Sequence, residues 1–159
     1  MLKQIVYVDS SVISYLNPRL SRDGRNRMRQ LLTALWWECR HEWDCVVSAT
    51  VMMEIAEGDV DAAAQRMELA RSLGRVPSSP EVGVLSDLLI ASKLVPESVK
   101  ADAIHLATAA VNGAHFWATW NQKHLNNPDL RFRISELIRK QGWQPARVVT
   151  PAQLLEEFT

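Results

Sequence analysis

Ile5-Val6-Tyr7-Val8 is an apolar run without polar alternation, so the strand it predicts is covered on both faces, and it stops at an acid, Asp9. Such a strand belongs inside a parallel sheet. Asp44-Cys45-Val46-Val47, Gly74-Arg75-Val76 and Ala114-His115-Phe116-Trp117-Ala118 are short segments of the same kind, and Arg147-Val148-Val149 is a weaker fifth. Between them the apolar spacing becomes helical. Ser21 to His41 carries Met28, Leu31, Leu32, Leu35 and Trp36 as one core-facing stripe, and Asp59 to Leu73 carries Val60, Ala63, Met67 and Ala70 as another. Further helices are predicted over 80–92, 97–112 and 131–140, with a short one from Pro151. Strands alternating with helices imply an α/β fold: a central parallel sheet of four or five strands with helices on both faces. A chain of 159 residues, 47% of them hydrophobic, suits one core, so residues 1–159 read as a single domain. Pro77-Ser78-Ser79-Pro80 is a turn, too short for a linker.

The charges balance, with 18 Lys and Arg against 18 Asp and Glu, so no overall field draws the chain to nucleic acid or to an anionic membrane. Any such binding needs a local patch. No stretch approaches the roughly 20 apolar residues of a bilayer span, and Met1-Leu2-Lys3 leads into a strand, so the expectation is a cytoplasmic protein with no membrane partner. Cys39 and Cys45 alone make neither a disulfide framework nor a paired-cysteine zinc site. The 6 glycines form no phosphate-binding loop.

In an open parallel sheet, ligands bind beyond the carboxyl ends of the strands, where loops diverge and helix N-termini present their amides. Asp9 lies at such an end, although Asp before Ser10-Ser11 and an apolar run is also how a helix is capped. Glu54 lies on the helix that Ser48 begins, among Val51, Met52, Met53 and Ile55, where a carboxylate needs a cation or donors. Asp102 replaces an apolar residue on the stripe of Val99, Leu106 and Ala109, with Lys100 and His105 near it in sequence. A helix N-terminus favours an acid by only about 0.3–1 kcal/mol, less than the several kcal/mol that an unpaired buried carboxylate costs. Three acids from three segments of one sheet make a set of hard oxygen ligands suited to Mg²⁺ or Mn²⁺. An ion so held lowers the pKa of water and offsets charge in phosphodiester displacement.

These blocks resemble the PIN-domain nucleases, and within them the VapC-like toxins of bacterial toxin–antitoxin pairs. Val6 to Leu16 is similar to the family's opening strand with its first catalytic Asp, and Ser48 to Gly58 to its second block with the catalytic Glu. Ala101 to Ala107 resembles the third block, in which Asp102 is a metal ligand, and Ala118-Thr119-Trp120-Asn121 a subgroup whose fourth block reads Thr-Trp-Asn. The resemblance implies a PIN-like fold and a metal-dependent endoribonuclease that cleaves RNA through an activated water. Asp9, Glu54 and Asp102 would hold Mg²⁺ or Mn²⁺, with Asn121 assisting. Asn121 stands where many members carry a fourth carboxylate, so it either positions a group in the site or is an ordinary turn residue.

Arg19, Arg22, Arg25, Arg27 and Arg29 form the strongest local charge bias, offset by Asp23. Its simplest account is a solvated helix start. The next is substrate contact, for which Ser10, Arg19, Arg22 and Arg25 are the candidates, and a third is a surface for an acidic antitoxin segment. Arg131, Arg133, Arg139 and Lys140 form a looser second set. One indole of the pair Trp36-Trp37 must turn from the strip that buries the other, which suits a homodimer seam or an antitoxin groove. His105 alone of the histidines falls near the acids, in a core or hydrogen-bonding role. Two other readings keep the same fold: a non-catalytic RNA- or protein-binding module, and a metal-dependent phosphatase or DNA nuclease.

Overall fold

The structure is a computed structural model that describes residues 2–157. Five strands, β1 (Ile5–Val8), β2 (Asp44–Val47), β3 (Gly74–Arg75), β4 (Phe116–Ala118) and β5 (Arg147–Val149), form one all-parallel sheet in the order β3-β2-β1-β4-β5. Helices α1 (Ser10–Ser14), α2 (Gly24–Glu38), α3 (Ala49–Ile55), α4 (Val60–Ala70), α5 (Pro80–Ala91), α6 (Lys100–Val111), α7 (Pro128–Lys140) and α8 (Pro151–Glu156) flank it. This is the expected α/β class. Val6, Tyr7 and Val8 each have 0% of their surface exposed, as a central strand covered on both faces requires.

From β1 the chain builds outward through β2 to β3, then crosses to the opposite side for β4 and β5. The direction of winding therefore reverses between β1 and β4, which pair with Val6 opposite Phe116 and Val8 opposite Ala118. The ladder runs one step further, for the Asp9 amide donates to the Ala118 carbonyl at 3.0 Å. Asp9 and Thr119 thus emerge together at the crevice where doubly wound sheets bind ligands.

The stripe expected on α2 is a correction. Met28, Leu31 and Leu35 are 57%, 46% and 60% exposed, while Gln30, Thr33 and Trp36 face inward. Hydrogen bonds explain the reversal. Gln30 Oε1 accepts from the Ser21 amide (2.7 Å) and its Nε2 donates to the Arg19 carbonyl (3.1 Å), which ties down the loop ahead of the helix. Thr33 Oγ1 accepts from the indole of Trp120 at 2.8 Å. The inward face of α2 is a mixed one, in which Trp36 of the expected stripe is buried and Leu32 partly so. Val60 on α4 is likewise exposed, whereas Ala63 and Ala70 are buried. No helix among the described residues is long and apolar enough to cross a membrane.

Candidate metal centre and adjoining cleft

Asp9 caps α1 and is nevertheless buried. Its Oδ2 accepts from the Ser11 amide (3.2 Å), the Ser11 hydroxyl (2.6 Å) and the Thr119 hydroxyl (2.9 Å). Oδ1 accepts no hydrogen bond among the described residues and faces His105 Nε2 at 3.8 Å. Glu54 projects from α3, whose N-terminus Ser48 caps by accepting from the Val51 amide at 3.2 Å. It is about a third exposed, with a side-chain accessibility of 32%. Its Oε1 meets His105 Nε2 at 2.9 Å.

His105 is the hub that joins these acids. It is buried on α6, with its Nδ1 2.6 Å from the Tyr7 hydroxyl, which lies 2.7 Å from Ser48 Oγ. The ring packs against Trp117 at 5.5 Å between centroids. The chain of bonds is self-consistent in both protonation states of the imidazole. When the ring is neutral, Ser48 donates to Tyr7, Tyr7 to Nδ1, and Nε2–H to Glu54; when it is cationic, Nδ1–H donates to Tyr7 and Tyr7 to Ser48. Burial opposes the imidazolium, yet the bond to Glu54 and the charges of Asp9, Glu54 and Asp102 outweigh it and hold His105 above its ordinary pKa. Burial raises the Tyr7 phenol as well, which keeps it a hydroxyl able to donate.

Ligand atoms of Asp9, Glu54 and His105 lie within 4.8 Å of one another. Asp102, half-buried in the first turn of α6, is outside that group but inside its field. Burial raises its carboxyl above the usual range; His105 and His124 pull it down, while Asp9 and Glu54 push it up. No hydrogen bond to the Asp102 side chain exists among the described residues. Asp9 Oδ1, Glu54 Oε2 and both Asp102 oxygens thus accept no hydrogen bond among the described residues, and carboxylate oxygens are the donors that a hard divalent cation takes. His105 Nε2 meets Glu54 Oε1, so the ring is placed to orient that carboxylate.

The remaining candidates divide. Ser10 makes no side-chain hydrogen bond among the described residues, and it is Ser11 that holds Asp9. Arg19 and Arg22 are exposed and do not line the cleft beside the acids; Arg25 does. Asn121 is exposed, its amide donating to Thr119 Oγ1 at 3.1 Å, and it lines the same cleft of about 710 Å³. Sequence reasoning read Ser48 only as a helix start and Thr119 only as part of its block, and it gave Tyr7 and Ser11 no role in the site. Ser11 could have been found, because the second residue after a capping acid is positioned to bond it.

The chain matches no protein-family model and no curated protein sequence.

Proposed function

We propose that the protein is a Mg²⁺- or Mn²⁺-dependent endoribonuclease of the PIN type. The observation that carries the reading is the meeting of Asp9 and Glu54 over His105 at the reversal of the sheet, beside an Asp102 whose side chain takes no hydrogen bond among the described residues. Asp9 Oδ1, Glu54 and Asp102 would hold the ion. When bound, such an ion supplies Lewis acidity, activating water and offsetting charge on a phosphate under attack. Ser11 and Thr119 orient Asp9 by fixing Oδ2, so that Oδ1 is the oxygen turned toward the site. His105 orients Glu54, and Tyr7 with Ser48 orients His105.

A role as the toxin of a toxin–antitoxin pair in the cytoplasm extends the same proposal. The exposed Met28, Leu31 and Leu35 on α2 support a protein partner, either an antitoxin or a second copy, since contiguous apolar surface on a soluble domain marks an interaction site. The nuclease reading is tested with Asp9→Asn. That variant keeps the wild-type circular dichroism spectrum and loses RNA cleavage in Mn²⁺. Full cleavage by it excludes the mechanism, and a wild type that binds RNA and cleaves none leaves the non-catalytic module standing.

A further inference from the structure

We propose that the cleft next to the acid cluster is a binding site for single-stranded RNA, in which Arg29, held between Tyr15 and Trp120, grips a backbone phosphate. The proposal rests on the nuclease reading for the identity of the strand. Its binding chemistry stands on separate residues. The cleft opens at the carboxyl ends of β1, β4 and β5, with Ser11 and Tyr15, then Trp120 and Lys123, then Thr150 at its rim, and Arg25 and Arg29 reach in from α2. Its volume of about 710 Å³ falls within the ~300–1,000 Å³ of pockets that enclose small ligands.

Charge in the cleft is one-sided. Arg25, Arg29 and Lys123 line it, no acid does, and none of the three has an ion pair among the described residues. In a chain whose charges sum to zero this is a local concentration, the kind of patch that nucleic-acid binding requires here. It also has a task that the acid cluster creates. Three carboxylates at one crevice repel a polyanion, and a cationic wall beside them offsets that repulsion.

The wall is already in place before any ligand arrives. The Arg29 guanidinium lies 5.3 Å from the centre of the Trp120 ring and 5.8 Å from that of Tyr15, and its Nη1 donates to the Tyr15 hydroxyl at 3.3 Å. Trp120 is pinned by its indole donating to Thr33 Oγ1 and by its amide donating to Ser11 Oγ at 3.0 Å. Tyr15 in turn donates to Asn26 Oδ1 at 3.2 Å. A half-buried guanidinium has five N–H donors, and among the described residues only one of them is used. The rest point to an acceptor from outside. A phosphate fits that need bidentately, and little side-chain entropy is left to lose.

Two further features identify a single strand. Aromatic rings beside cations offer stacking to unpaired bases, which a duplex keeps inside its own stack. Ser11 also joins the cleft to the acids, because the Oγ that accepts from Trp120 donates to Asp9 Oδ2 at 2.6 Å. A strand with one phosphate at Asp9 therefore runs its neighbouring nucleotide into the cleft. Asn121, an amide at that junction, reads a base edge without adding a charge that would repel the backbone.

The test is fluorescence anisotropy of a labelled single-stranded RNA oligomer in EDTA, so that no cleavage intervenes. Arg29→Gln and Trp120→Ala each weaken binding by roughly tenfold. Arg25→Gln and Lys123→Gln each flatten the slope of log K against log salt by about 0.7. Arg133→Gln, on α7 and paired with Asp129, binds as wild type. Arg25 and Lys123 are exposed, so their variants keep the test decisive even if Arg29→Gln fails to fold. Unchanged affinity and slope in Arg25→Gln and Lys123→Gln overturn the proposal, as does duplex RNA binding as tightly as the single strand. If the wild type binds through these residues and cleaves nothing, the nuclease reading alone fails. If it cleaves while the cleft variants bind normally, the cleft alone fails.

Discussion

Asp9 and Asp102 carry the same carboxyl group at one edge of the sheet, and the protein surrounds them differently. Asp9 Oδ2 takes hydrogen bonds from Ser11 and Thr119, whereas the Asp102 side chain takes none among the described residues and is held above its ordinary pKa by burial. Glu54, bonded to His105, belongs with Asp9. Arg29, with aromatic rings around it and no carboxylate, belongs with Asp102. Folding alone accounts for the bonded side of the site, where Asp9 Oδ2, Glu54 Oε1, His105, Tyr7 and Ser48 each answer another polar group. The other side offers unused bonding capacity, which the proposed ion and strand would take up: a cation at Asp102 and a phosphate at Arg29.

Replacing Asp102 with Asn tests that contrast most strongly. A folded pKa above the unfolded one means that the native chain binds more protons, so stability falls as pH rises from the unfolded pKa through the folded one. At neutral pH the anion is thus a standing cost to the metal-free protein, and an amide of the same shape removes it. Metal-free Asp102→Asn should melt above the wild type in a calorimetric scan. The ion reverses the order. At a hundred times its Kd it adds about 2.7 kcal/mol to the wild type, and Asp102→Asn forfeits this along with cleavage. A variant that melts lower without metal and keeps the Mn²⁺ shift shows that Asp102 belongs to the bonded side.

How much of this was legible beforehand depended on sequence separation. The strands and the acids at their ends could be read because each signal is local: an apolar run, then Asp9; a Ser48 cap, then Glu54. The bonds that orient those acids span 51 residues from Glu54 to His105, 98 from Tyr7 to His105 and 110 from Asp9 to Thr119. No periodicity encodes such pairs. A tyrosine inside an apolar strand reads as core, and Tyr7 is core apart from its hydroxyl. The α2 stripe held at Trp36 and failed at Met28, Leu31 and Leu35 for a related reason, because apolar spacing says nothing of a loop that needs Gln30 or an indole that needs Thr33.

A smaller effect, on the bonded side, comes from Tyr7→Phe. The ring keeps its packing, and the loss is confined to the hydroxyl that lies between Ser48 and His105. His105 Nδ1 is then left without a partner in a buried setting, a cost of about 1–3 kcal/mol in urea unfolding. Because the neutral tautomer that donates to Glu54 loses its anchor, Mn²⁺ affinity by titration calorimetry falls roughly 10–100-fold, the usual result of removing a group behind a ligand. Stability within ~0.5 kcal/mol of wild type together with unchanged affinity breaks the idea that this side is held by its internal bonds.

Asn121→Asp produces the smallest change and decides which side the fourth position serves. If Asn121 stands in for a ligand, a carboxylate there tightens Mn²⁺ binding. If it belongs to the cleft, the added charge sits near Arg25, Arg29 and Lys123 and opposes the RNA backbone instead. Its exposure and its place on the cleft wall favour the second outcome. An exposed charge is worth up to about 1 kcal/mol, so RNA affinity in EDTA should fall by no more than about fivefold. The loss should shrink as salt rises, because added ions screen the repulsion within roughly 10 Å. Mn²⁺ affinity should stay as it is. Were the ion to bind more tightly and the RNA equally well, the fourth position would join Asp102 as a ligand lacking a protein partner, and the boundary between the metal centre and the cleft would move outward by one residue.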